Sequence, residues 1–146
     1  MSVKAYLLPL LAVFTPSLSL AADGIVYKHP QCGCCEDWIE HMRTAGFELD
    51  VQNLTEMSAK KQALGIPDQL ASCHTAQIGD YLIEGHVPAQ DVRTLLAQQP
   101  KIAGLSVPGM PHGSPGMETG RFDPYTIVGF NHQGQVRLWR QVSHAE

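Results

Sequence analysis

Apolar residues change their spacing several times along the chain, and each change predicts an element. Gly24-Ile25-Val26-Tyr27 is a short uninterrupted apolar run, the pattern of a central strand covered on both faces. Over 34–45 the spacing turns helical. Trp38, Met42 and Ala45 share a face with Ile39 beside them, and Gly46 stands where a helix C-cap favours glycine. Phe47, Leu49 and Val51 then alternate with Glu48 and Asp50, as in a strand with one wet face. Thr55 is placed to cap a second helix that runs to Leu64, and Gly65 and Pro67 end it. Two extended pieces follow, 75–78 and 81–87, turned by Gly79-Asp80. Pro88 opens a third helix with Val92, Leu95 and Leu96 on one face.

The expected order is βαβαββα. Parallel pairing of the first two strands needs a crossover, which the first helix supplies. The short turn at Gly79-Asp80 requires the third strand to enter antiparallel beside the first. Over 100–124 proline and glycine recur so densely that only a long loop is expected. A C-terminal hairpin, 125–130 and 135–141 around Asn131-His132-Gln133-Gly134, then extends the sheet. The predicted fold class is α/β: a thioredoxin-like βαβαββα core with a Gly/Pro/Met-rich loop and a C-terminal β-hairpin extension.

The first residues stand apart from this pattern. Lys4 precedes an apolar stretch over 5–14, and Ser19-Leu20-Ala21 supplies small residues three positions and one position before a cut. That is the layout of a secretory signal peptide, residues 1–21, leaving a single domain over 22–146. The apolar stretch is short for a membrane anchor, and Pro9 and Pro16 interrupt it. No later segment could span a membrane. The whole chain carries a net charge of −4, and loss of Lys4 with the leader makes the remainder more negative. Such a surface argues against nucleic acid as a partner and suits cations or other proteins.

All four cysteines fall in the exported part, in an oxidising compartment. Cys32-Gly33-Cys34-Cys35 sits where the first strand hands over to the first helix. Cys32 and Cys35 have the C-x-x-C spacing of thiol redox sites, and a helix N-terminus favours thiolates. Glu36 and Asp37 in the same turn oppose that shift. Cys34 is surplus to a disulfide couple. Three thiolates within one turn are better suited to bridging soft ions than to the separated ligand pairs of a zinc site. Thiolate and thioether ligands select copper(I). Cys73 leads into the third strand, so the topology brings it to face Cys32, Cys34 and Cys35 across a short gap.

The loop segment Val107-Pro108-Gly109-Met110-Pro111-His112-Gly113-Ser114-Pro115-Gly116-Met117-Glu118 holds two methionines and a histidine without a core pattern. Met110, His112 and Met117 are candidates as copper ligands or as a lid. Met42 and Met57 lie at helical spacing and read as core. His29 and His74 neighbour the cysteines and are weaker candidate ligands. His41, His132 and His144 read as solvated, and His86 has no evident place.

His29-Pro-Gln-Cys-Gly-Cys-Cys35, then Glu-Gly-His-Val-Pro88, then Gly-Met-Pro-His-Gly-Ser-Pro-Gly-Met-Glu118 resemble the periplasmic copper-resistance proteins called CopG. The likeness runs from about Ile25 to Trp139. It implies a thioredoxin-like fold, a periplasmic location and a multinuclear copper site. It implies cluster ligands at Cys32, Cys34, Cys35 and Cys73 under the methionine loop, with a role in changing the oxidation state of copper during detoxification. The expected partners are copper ions and other periplasmic copper-handling or redox proteins. Two other readings stand beside it: a thiol–disulfide oxidoreductase working through Cys32 and Cys35, and a domain stapled by zinc or disulfides. The Met-rich loop favours copper, because disulfide exchange has no use for thioethers.

Overall fold

The structure, a computed structural model, describes residues 23–144. The signal peptide expected over 1–21 lies outside the described residues. Among those described, no helix is long and apolar enough to cross a membrane.

The elements are β1 (Gly24–Lys28), α1 (Gly33–Thr44), β2 (Leu49–Asn53), α2 (Met57–Leu64), β3 (Thr75–Ile78), β4 (Tyr81–Glu84), α3 (Ala89–Gln98), β5 (Gly104–Ser106), β6 (Tyr125–Phe130) and β7 (Val136–Val142). A 3-10 turn, Asp68–Leu70, precedes β3. The strands form one seven-stranded sheet in the order β2-β1-β3-β4-β5-β6-β7. β1 pairs parallel with β2 and antiparallel with β3, as the apolar run and the crossover helix predict. β3 and β4 pair antiparallel about Gly79-Asp80, and β6 and β7 form the expected hairpin.

Four expectations are corrected. The segment over 100–124 is not all loop, because β5 joins the sheet between β4 and β6. Gly104 makes this possible: a Cβ there would stand 1.8 Å from the Leu82 carbonyl oxygen. Pairing on both sides holds a three-residue strand that local propensity would not. Thr55 does not cap α2; the helix starts at Met57 after Glu56, with no side-chain cap bond. α2 buries none of its residues, so Met57 is half-exposed and not core. The extended piece over 81–87 stops at Glu84, where Gly85 turns the chain with φ +71°.

The core lies between the sheet and the inner faces of α1 and α3. Trp38, Ile39 and Met42 of α1 pack with Val26, Ile83, Val92, Leu95, Leu105 and Ile127. Each such aliphatic side chain contributes about 1.5–3 kcal/mol by leaving water. The Trp38 indole N–H donates to the Val87 carbonyl at 2.9 Å, tying α1 to the chain entering α3. At the far side, the buried Asp91 carboxylate accepts from Trp139 Nε1 and from the Arg140 guanidinium, which anchors β7 to α3.

Candidate metal centre

β1 ends at Lys28, and the chain turns back so that the Cys32 N–H donates to the His29 carbonyl at 3.0 Å. Cys32 takes the N-cap position of α1, and Cys34 and Cys35 fall in its first turn. Cys73 sits two residues ahead of β3. Because β3 runs antiparallel to β1 with Thr75 opposite Tyr27, its leading end arrives beside the cysteine turn. The four cysteine sulfurs all lie within 4.8 Å of one another. Cys32 and Cys35 are joined as a disulfide, and Cys34 and Cys73 are free thiols. Cys34 Sγ stands 3.6 Å from Cys32 Sγ and 3.8 Å from Cys73 Sγ.

His86 is the residue that sequence reasoning missed. Its Nε2 lies 2.8 Å from Cys73 Sγ, and Cys73, His74 and His86 form a second group of donor atoms within 4.8 Å. The signal for it was present in the hairpin. Counting outward from the two-residue turn Gly79-Asp80 puts Ile78 opposite Tyr81 and Thr75 opposite Glu84. Two further steps put Cys73 opposite His86. The Gly85 N–H to His74 carbonyl bond, 3.0 Å, carries the pairing past the strand ends. His86 Nδ1 lies 2.8 Å from the Pro115 carbonyl, which can only accept, so Nδ1 carries the proton and Nε2 is left with its lone pair. His74 is fully buried, with Nδ1 3.4 Å from Cys73 Sγ and Nε2 without a hydrogen-bond partner.

The electrostatics follow from burial. The Cys73 thiol is pushed up to about 12, first by burial and then by Cys34 beside it. The metal-free Cys73 is therefore a protonated thiol, and its S–H donates to His86 Nε2. Burial also lowers His86, against the Pro115 bond and Glu118, which raise it. His74 is held well below the usual histidine range by burial, then by His86 and Lys61. Both imidazoles are thus neutral, the form that metal coordination requires.

Two ion pairs brace the site, one buried and one reaching an exposed partner, Glu36. Glu84, fully buried, accepts from Lys61 Nζ at 2.5 Å, from the Ser72 N–H at 2.6 Å and from Thr75 Oγ1 at 2.5 Å. It thereby holds the backbone at Ser72 and the side chain of Thr75, on either side of Cys73. Lys28, also fully buried, binds Glu36 at 2.8 Å and Asn53 Oδ1 at 3.1 Å beneath the cysteine turn.

The Met-rich loop lies over the first turn of α1. At Gly116, with φ +83°, a Cβ would stand 2.7 Å from both the Cys34 carbonyl oxygen and the Trp38 nitrogen. The Gly109 carbonyl accepts from Ser72 Oγ, next to Cys73. Met110, which follows, is 52% exposed, and Met117 is half-buried. His112 bonds Thr119 Oγ1 at 2.7 Å and belongs to neither donor group. His29 belongs to neither group as well; its Nδ1 accepts the Gln31 N–H at 3.2 Å. His41 is not solvated as expected: it is half-buried, and its Nε2 accepts the Ala89 N–H at the start of α3, 3.0 Å. His132 and His144 are exposed.

Comparison with known proteins gives a consistent result. The family described as protein of unknown function, DUF411, matches residues 70–117, which hold Cys73, His86 and the Met-rich loop. Two solved structures of a copper resistance protein, CopG forms 1 and 2, are each 42% identical to this chain with TM-scores of 0.78. They cover 83% and 82% of this chain and 97% of their own. No match is found among curated proteins.

Proposed function

The chain belongs to the family of the copper resistance protein CopG, and from that premise we propose that it is a periplasmic copper(I)-binding protein. The observation that carries the reading is the convergence of four cysteine sulfurs within 4.8 Å, beside a neutral His86 aimed at one of them. Cys32, Cys34, Cys35 and Cys73 are the cluster ligands. A thiolate sulfur has lone pairs for more than one soft ion, so four sulfurs packed this closely favour a bridged, multinuclear site. Opening the Cys32–Cys35 disulfide is a precondition for using all four. Met110, Met117 and His112, on the loop that covers the cysteine turn, supply further soft or borderline donors as copper enters. The strand order β2-β1-β3-β4, with α1 as crossover and the cysteines at its N-terminus, supports a thioredoxin-like core. Residues 1–21 act as the signal peptide, and copper ions and periplasmic copper-handling proteins are the partners.

The Cys32–Cys35 disulfide itself favours a second reading, a thiol–disulfide oxidoreductase. One experiment separates them. Mature protein is reduced, loaded anaerobically with copper(I) in competition with zinc, and analysed for metal; Cys34→Ser is treated alike. Copper uptake that falls in Cys34→Ser, with disulfide exchange unchanged, supports the copper site. Copper uptake indifferent to Cys34 sinks the cluster.

A further inference from the structure

The disulfide removes two sulfurs from the site but leaves Cys34, Cys73 and His86 in place. We infer that the disulfide-bearing form keeps a complete site for a single copper(I) ion, made by Cys34 Sγ, Cys73 Sγ and His86 Nε2. The inference rests on the copper-binding reading and adds a second, lower-capacity state to it.

Three observations converge. The Cys34 and Cys73 sulfurs are 3.8 Å apart with the Cys32–Cys35 bond intact. Two thiolates on one tetrahedral ion, at a metal–sulfur distance of about 2.3 Å, stand about 3.8 Å apart. The pair therefore already has the spacing of two ligands on one ion. Next, His86 is held as ligating imidazoles are held: Nδ1 donates to the Pro115 carbonyl at 2.8 Å, which fixes the ring and leaves Nε2 facing Cys73. Finally, the supports of Cys73 and His86 do not include the disulfide. Cys73 and His86 are set opposite each other by the β3–β4 hairpin register, and Glu84 holds the backbone at Ser72. Buried His74, with Nδ1 3.4 Å from Cys73 Sγ, offers a fourth donor.

The chemistry balances without electron transfer. Copper(I) displaces the protons of the Cys34 and Cys73 thiols to solvent, two S–Cu bonds form, and His86 Nε2 donates its lone pair. The net charge of this unit is negative, and the N-terminus of α1 stabilises it. Oxidation of Cys32 and Cys35 then lowers copper capacity without abolishing it, which suits a protein exported to an oxidising compartment.

The test uses native mass spectrometry on mature protein carrying the Cys32–Cys35 disulfide, in anaerobic, thiol-free buffer, with copper(I) supplied as its acetonitrile complex. Fully reduced protein is run in parallel, and peptide mapping afterwards checks that the disulfide survived. The expected result is one copper on the disulfide form and more on the reduced form. Cys34→Ser and Cys73→Ser lose that one copper, and His86→Gln weakens it about tenfold or more. The double variant Cys32→Ser/Cys35→Ser, which cannot form the bond, keeps it. Copper on the reduced protein but none on the disulfide form overturns this inference alone. Copper on the disulfide form that survives loss of both Cys34 and Cys73 overturns it too. A reduced protein that takes up no copper overturns the copper reading and this inference together.

Discussion

Cys73 Sγ and His86 Nε2 stand 2.8 Å apart although thirteen positions separate them. The tight turn at Gly79-Asp80 sets the register that makes them opposite, and the Gly85 N–H to His74 carbonyl bond carries the pairing past the end of β4. A free thiol and a neutral imidazole are thereby delivered together to the N-terminus of α1.

His86→Gln in the reduced protein should therefore lower copper(I) affinity. A group that only orients a metal ligand is worth about ten- to a hundredfold in affinity, and a direct ligand more. Competition with a copper(I) chelator measures it, with thermal unfolding of the metal-free variant as the control for folding. Unchanged affinity would remove His86 from the site.

Glu84→Ala should be among the most destabilising single changes. It strands Lys61, whose side chain is 11% exposed, and leaves the Ser72 N–H and Thr75 hydroxyl without their acceptor. Breaking a buried pair from one side costs about 3–5 kcal/mol. Removing both charges together, Lys61→Met with Glu84→Gln, should restore most of that loss. Urea denaturation of the metal-free protein reads both outcomes.

Stability should fall on acidification. Burial lowers the folded pKa of His41, with Glu118 opposing, so the unfolded chain takes up that proton first. Between the ordinary histidine value of about 6.5 and the lowered folded value, the unfolded state binds more protons. The contribution is intact above that window and is lost as pH falls through it. His74 and His86, also lowered, act in the same direction. His41→Gln keeps an acceptor for the Ala89 N–H but does not titrate. Its melting temperature should fall less steeply between pH 7 and pH 5 (about the range over which histidines titrate).

Gly116→Ala should lift the Met-rich loop. The backbone there has φ +83°, and the new Cβ would meet the Cys34 carbonyl oxygen and the Trp38 nitrogen at 2.7 Å. A non-glycine residue in such a conformation costs about 1–3 kcal/mol. The expected signature is faster alkylation of Cys34 by a bulky maleimide, with little change in circular dichroism. An unchanged rate would show that the loop does not cover the cysteine turn.

Protein recovered from the periplasm should begin at Ala22, since Ser19-Leu20-Ala21 follows the apolar stretch. Intact mass decides it, and retention of Lys4 would count against the signal peptide.

The sequence by itself determined the elements whose pattern is local. The apolar run of β1, the helical face of Trp38, Ile39 and Met42, and the turn at Gly79-Asp80 each declare themselves within a few residues, and together they prescribe β1 between β2 and β3. That was enough to bring Cys73 to the cysteine turn. Tertiary structure decided what depends on neighbours distant in sequence. β5 exists because β4 and β6 pair with it and because Gly104 has no Cβ to meet Leu82. Thr55 fails as a cap because α2 starts at Met57, after Glu56. His41 and His86 have the same side chain as exposed His132. Only packing distinguishes them: one accepts the first N–H of α3, the other is pinned by Pro115 against Cys73. A histidine's surroundings set its tautomer and charge, and those surroundings come from other parts of the chain.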